Sequence, residues 1–161
     1  MANYDFNKDI EIGEDGEYVV RLDLESLGGT FVSDNKNNTH DLVMLLPEKN
    51  SSNFRNVTYE IKTDVFCRPH MDTGNIFIEF ESRGKDSGIT VTTAEWFVTY
   101  FKHFNEIWYI KSNKLRKLIS ENDFKKHTDS GDLGSNTKGY LIPRYQFKKY
   151  FKVRLVPKKL I

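Results

Sequence analysis

What this chain has little of narrows it first. It contains a single cysteine, Cys67, which excludes an intramolecular disulfide; with an N-terminus that shows no secretory pattern, we expect a reducing, intracellular setting. No apolar run approaches the roughly 20 residues that a membrane-spanning helix needs, so we expect a soluble, cytoplasmic protein with no membrane partner. Net charge is also scarce: 24 basic residues against 23 acidic leave +1. Affinity for a polyanion would have to come from uneven distribution rather than bulk charge. No internal repeat is visible. No glycine-rich stretch has P-loop spacing, and no Ser-His-Asp arrangement is recognisable along the chain. His40, Cys67 and His70 are too irregularly spaced, and too poor in cysteine, to read as a zinc set.

What is present is one domain's worth of chain, 161 residues, long enough to bury a substantial core. Its charge is indeed uneven. From Leu133 to Ile161 there is no acidic residue, while eight basic ones, Lys148, Lys149, Lys152 and Arg154 among them, alternate with Tyr140, Tyr145, Phe147, Tyr150 and Phe151. Such a basic, aromatic segment (133–161) suits phosphate backbones and exposed bases; KVRLV within it reads equally as an edge strand with solvated lysines.

Periodicity predicts an α/β domain. Residues 14–27 read as a helix stopped by Gly28 and Gly29. FVSD is a short strand, DLVMLL and VTYEIKT are two strands joined by the turn-rich EKNSSNFRN, and NIFIEFES is a third. TTAEWFVTYF reads as a helix, because Thr92 and Glu95 have capping-box spacing ahead of an apolar run. IWYIKS is a strand, KLRKLISEN a helix, and residues 125–139 a mobile loop.

Two of these strands carry charges where a core strand should be quiet. Asp41 opens DLVMLL, and Glu60 and Lys62 interrupt VTYEIKT. Side chains alternate across a strand, so Glu60, Lys62 and Asp64 share one face, and a partner strand could bring Asp41 alongside. Two carboxylates meeting at a sheet edge are an oxygen-ligand set suited to Mg²⁺, which takes only one or two protein carboxylates. A lysine beside them could steady charge on a phosphate. The same pattern also describes a solvated strand face with a cross-strand ion pair. Glu79 and Glu81 could extend the acidic cluster or be solvated. The loop Arg83-Gly-Lys-Asp-Ser-Gly88 opens towards the expected helix, where backbone N–H groups, Ser87, Arg83 and Lys85 could receive a phosphate.

Asp41 followed, after eighteen intervening residues, by Glu60-Ile-Lys62 resembles the PD-(D/E)XK nuclease superfamily. The stretch TGNIFIEFESRGKDSGITVTTAEWFVTYF is similar to its phage-type members, in which an Ile-Glu strand, a Gly-Lys-x-Ser-Gly-Ile loop and an aromatic helix follow the Glu-x-Lys strand. The resemblance spans roughly residues 13–119. It implies a restriction-endonuclease-like core, a central mixed sheet flanked by helices in the order αβββαβ, within a single nuclease-like domain. It implies a Mg²⁺- or Mn²⁺-dependent DNA endonuclease, residing in the host cytoplasm if phage-encoded. Asp41 and Glu60 would hold the metal, Lys62 would be the catalytic lysine, and Glu17 matches an acidic residue that some members add on the first helix. His40 precedes Asp41 where many members have proline. Cutting both strands would suit a homodimer. The alternative is a nucleic-acid-binding protein that keeps the fold without cutting.

Overall fold

The computed structural model describes residues 6–34, 39–129 and 136–156. The first element, α1 (Phe6–Ser26), starts earlier than the sequence pattern suggested. It buries Val19, Val20 and Leu24 against the sheet. Its end is set where Gly28, at φ 88°, turns the chain left-handed. The N–H groups of Gly28 and Gly29 then return to the carbonyls of Glu25 and Leu24, closing a Schellman cap that a side chain at 28 would strain.

β1 (Thr30–Asp34), β2 (Leu42–Pro47) and β3 (Phe54–Asp64) form an antiparallel meander. The chain then leaves this sheet for β4 (Asn75–Ser82) and the two-residue β5 (Lys85–Asp86). It comes back as β6 (Trp96–Phe101), which lies parallel to β3 with Glu60 opposite Phe97 and Lys62 opposite Thr99. β7 (Glu106–Lys111) runs antiparallel to β6, and α2 (Ser112–Glu121) follows. β8 (Lys125–Asp129) and β9 (Thr137–Pro143) join β4, and β10 (Lys152–Leu155) closes the far edge beside β7. The result is an α/β architecture with a mixed six-stranded sheet, β1-β2-β3-β6-β7-β10, and a second, antiparallel sheet, β5-β4-β9-β8. No helix among the described residues is long and apolar enough to cross a membrane.

Three sequence expectations need correction. The segment expected to be a helix after Thr92 is β6. Its residues 97–101 are all buried, as in a strand covered on both faces, which reads as a continuous apolar run rather than an alternating one. No helix therefore separates β3 from its parallel neighbour, and the order αβββαβ gives way to one in which a second sheet makes that crossover. The loop expected over 125–139 contains β8 and the first three residues of β9, its centre (130–135) lying outside the described residues.

Two apolar cores lie on the two sides of the central sheet. One, under α1, gathers Leu42, Met44, Val57, Tyr59, Ile61, Val98 and Tyr109. The other joins Phe97, Phe101, Trp108 and Ile110 to Ile76, Ile78 and Ile142 of the second sheet and to Leu115 and Leu118 of α2. Arg144, only 1% exposed, follows β9 directly and is buried against this second core. Its guanidinium stacks 4.6 Å from the Phe101 ring centroid and pairs with Asp72 at 2.5 Å, tying the 66–75 segment to the second sheet.

Candidate active site

Glu60 and Lys62 point away from α1, because Tyr59 and Ile61 occupy the α1 face of β3 and side chains alternate. Asp41 stands at the entry to β2. Its backbone N–H bonds the Tyr59 carbonyl at 2.9 Å, and its Oδ2 accepts the Ile61 N–H at 2.7 Å. The carboxylate of Asp41 is thus pinned to the residue between Glu60 and Lys62. Lys62 Nζ lies 2.9 Å from Glu60 Oε1, and Thr92 Oγ1 lies 3.3 Å from Glu60 Oε2. Glu60 is 8% exposed, so a carboxylate has been brought almost wholly out of water, which requires partners of this kind.

The charges act on one another. Burial, and next the negative charge of Glu60, hold the Asp41 carboxyl above the usual carboxylate range, against the Ile61 N–H, Lys62 and His40, which favour its ionised form. Burial works against the Lys62 ammonium, but Glu60, Glu79 and Asp41 outweigh it and push its proton affinity up, so Lys62 is a cation across the physiological range. Glu79 belongs to the group as well. It reaches from β4, and the Ser87 hydroxyl donates a short hydrogen bond to it. The loop can press this close because residue 88 is glycine: a Cβ there would stand 2.3 Å from the Glu79 carbonyl oxygen, and φ is 51°.

Lys62 and Glu79 open into a cleft of about 560 Å³. The end of β3, Thr99, the 66–75 segment and the face of the second sheet that bears Phe77, Thr137, Leu141 and His127 form its walls. Among the described residues, no three acidic, histidine or cysteine side chains gather as a metal-holding group. What the site offers is the Asp41–Glu60 pair.

The other sequence candidates lie elsewhere or are otherwise engaged. The strongest charges on Asp41 and Lys62 come from Glu60, Glu79 and each other, and Glu17, on α1, is not among them. Ser87 is turned to Glu79, and the helix N-terminus that was to cradle a phosphate with it is absent: a three-residue 3₁₀ turn, Gly88–Thr90, stands there. Arg83 and Lys85 are exposed at the β4–β5 turn. Arg154 is held by both oxygens of the buried Asp23, at 2.9 and 2.8 Å. Lys148 and Lys149 are exposed on a 3₁₀ turn and Lys152 on β10, their ammonium groups 6.0, 5.3 and 5.1 Å from the ring centroids of Trp108, Tyr150 and Trp96. Lys148, over Trp108, and Lys152, over Trp96, thus lie on the two different sides of the central sheet, near the β10 edge and separated from β3 by β6 and β7. Thr92 escaped the sequence reading because its spacing to Glu95 imitated a helix cap; in the fold it accepts the Ala94 N–H and faces Glu60.

No family model matches the sequence, and neither a curated protein nor a solved structure matches it. What can be said of the site's chemistry comes from its own residues.

Proposed function

We propose that this protein is a metal-dependent deoxyribonuclease of PD-(D/E)XK type, with a restriction-endonuclease-like core. The observation that carries the reading is the join between Asp41 and β3: one carboxylate is bonded to the backbone between Glu60 and Lys62, so that two carboxylates gather about an ammonium, Lys62, that lines a cleft. A three-strand meander whose last strand is flanked by a parallel one supports the same reading.

The donor set fits Mg²⁺ or Mn²⁺. Both groups are hard oxygen ligands, and after burial the negative charge of Glu60 is what most raises the Asp41 proton affinity, so a cation held by the two would relieve repulsion. Held by Asp41 and Glu60, such an ion would supply Lewis-acid stabilisation of charge on the phosphate. The chain's own residues do the rest. The Ile61 N–H fixes the orientation of Asp41, and the Thr92 hydroxyl, shared between the Thr39 carbonyl at 3.0 Å and the second oxygen of Glu60 at 3.3 Å, stands beside that carboxylate. Lys62, kept cationic by Glu60, Glu79 and Asp41, faces the position where negative charge develops as the phosphodiester bond breaks.

One observation favours a second reading, a DNA-binding protein that does not cut: the Glu60–Lys62 pair already neutralises itself at 2.9 Å. Incubation of supercoiled plasmid and of a single-stranded circle with Mg²⁺ or Mn²⁺ decides between the two. We expect cleavage that begins with the metal and stops with EDTA; binding to DNA with neither circle opened in either metal would leave only the second reading.

Lys62 also gives a kinetic prediction. Because its charge acts on what develops in the transition state, Lys62→Ala should lower the single-turnover rate roughly a hundredfold, the scale of one lost electrostatic stabiliser. DNA affinity in Ca²⁺ should stay within a few-fold. A parental cleavage rate would reduce the Glu60–Lys62 stretch to a charged strand.

A further inference from the structure

The second sheet has one face in the apolar core, through Ile76, Ile78 and Ile142. Its other face lines the cleft and carries Phe77, Glu79, Thr137, Leu141 and His127. Register puts these together: Phe77 lies opposite Leu141, Glu79 opposite Gly139, and His127 opposite Gly139 on the other side. A cleft-lining sheet face would ordinarily be polar when its other face packs on a core. Here it presents an aromatic ring, a leucine and an imidazole.

Gly139 explains how the ring is presented. A Cβ at this position would stand 2.5 Å from both Cε2 and Cζ of Phe77. The ring therefore lies across the bare backbone of residue 139, and any side chain there would lift it off. Phe66, 66% exposed, lines the same cleft from the segment after β3, next to Cys67, whose N–H is fixed by Asp64 at 2.8 Å. Lys62 and Glu79 lie in the same cleft as these rings. Its volume, about 560 Å³, is that of a small-ligand pocket and suits a nucleotide unit or two rather than an intact duplex.

From these observations we propose that the outward face of the second sheet is a stacking platform for single-stranded DNA. Phe77, laid over Gly139, and Phe66 would take unpaired bases, and the strand's phosphate would pass beside Lys62. A sheet with aromatic rings on its open face holds bases through their π-faces, which every base has, so it tolerates any sequence but requires bases that are unstacked. The proposal rests on the reading of Asp41, Glu60 and Lys62 as the reaction centre, and it specifies that reading further: the substrate is a single strand, or the unpaired arm of a branched DNA, rather than continuous duplex.

Binding and cutting test the two layers separately. The probe is a labelled oligonucleotide about a dozen residues long, used as a single strand and as a blunt duplex of the same sequence. Affinity is read by anisotropy in Ca²⁺, and cleavage in Mg²⁺ and Mn²⁺. The single strand should bind at least tenfold tighter than the duplex. Phe77→Ala and Phe66→Ala should each weaken single-strand binding roughly tenfold, the scale of one lost base–aromatic stack, and leave duplex binding unchanged. Phe66 is exposed, so its variant tests the platform even if Phe77→Ala unfolds the sheet. Equal affinity for the two probes, or single-strand binding untouched by Phe66→Ala, overturns the platform. Phenylalanine-dependent single-strand binding without cleavage in either metal supports the platform and sinks the hydrolysis reading instead.

Discussion

Asp41→Asn should lower DNA cleavage by a thousandfold or so and, at the same time, make the metal-free protein melt higher at neutral pH. The amide keeps an oxygen for the Ile61 N–H but cannot serve as an anionic ligand, so the several kcal/mol that a Lewis acid contributes is forfeited. The gain in stability has the opposite origin. Burial and Glu60 raise the Asp41 proton affinity above that of the unfolded chain. Between the ordinary carboxylate range and this raised value the folded state binds more protons than the unfolded one, so stability falls as pH rises through that window. At pH 7 the ionised carboxylate is a cost that asparagine removes; near pH 3.8, the ordinary value for aspartate, the advantage disappears. A rise of a few degrees is expected at neutral pH, where about 1 kcal/mol corresponds to roughly 2–4 °C in a chain of this size. Mg²⁺ should raise the parent's midpoint and not the variant's. Thermal melts across pH, with EDTA and with Mg²⁺, measure all of this. An Asp41→Asn protein that melts lower at pH 7 and still cuts DNA would refute both halves.

The second large effect is expected far from the cleft. Arg154→Ala should destabilise the fold by about 3 kcal/mol, the lower end of what stranding a buried carboxylate costs, since Arg154 is itself 38% exposed. Asp23 is 3% exposed at its side chain. With the guanidinium gone it would keep only the Tyr109 hydroxyl, at 2.8 Å. Arg154→Lys should recover part of the loss, because it restores the charge but not the position of Nε, the one nitrogen that reaches both Asp23 oxygens. Arg154→Ala combined with Asp23→Asn should recover most of it, because no charge is then left buried. Urea unfolding of the four proteins gives the comparison. Parental stability for Arg154→Ala, together with a salt dependence of DNA binding flattened by roughly 0.9, would instead return Arg154 to the role of phosphate contact.

Much of the site's neighbourhood was legible because it is local. Glu60 and Lys62 share a face by strand alternation alone, and the apolar runs of β2, β3 and β7 announce themselves without tertiary information. The errors fall where distant chain decides. Trp96–Phe101 carries a helix-like cap signal and an unbroken apolar run, and only its place between β3 and β7 makes it a strand. β9 is a strand because β4, some 60 residues earlier, lies beside it; taken alone, its flanking Ser, Asn, Thr and Gly read as loop. Arg154 looked like one more positive charge in a basic tail because nothing in the order of residues reveals that Asp23, on α1, is buried opposite it. Phe77 and Gly139 are 62 positions apart in sequence, and their contact has no local signature.

The chain visits the central sheet, the second sheet, the central sheet, the second sheet and the central sheet again before it ends. Neither sheet is therefore a contiguous segment that could be synthesised, excised or folded alone: cutting after β3 strands a meander without its parallel neighbour, and cutting after β7 leaves β4 without β9. Three pairings tie the excursions together, β3 with β6, β4 with β9 and β7 with β10, and each joins residues tens of positions apart, so the loop-closure entropy must be met before they contribute. Such a topology favours slow, all-or-none folding, on the millisecond-to-second side of the range for small domains: Asp41, Glu60 and Lys62 are gathered within the first meander, whereas Glu79 joins them from the first excursion and Thr92 only as the chain comes back.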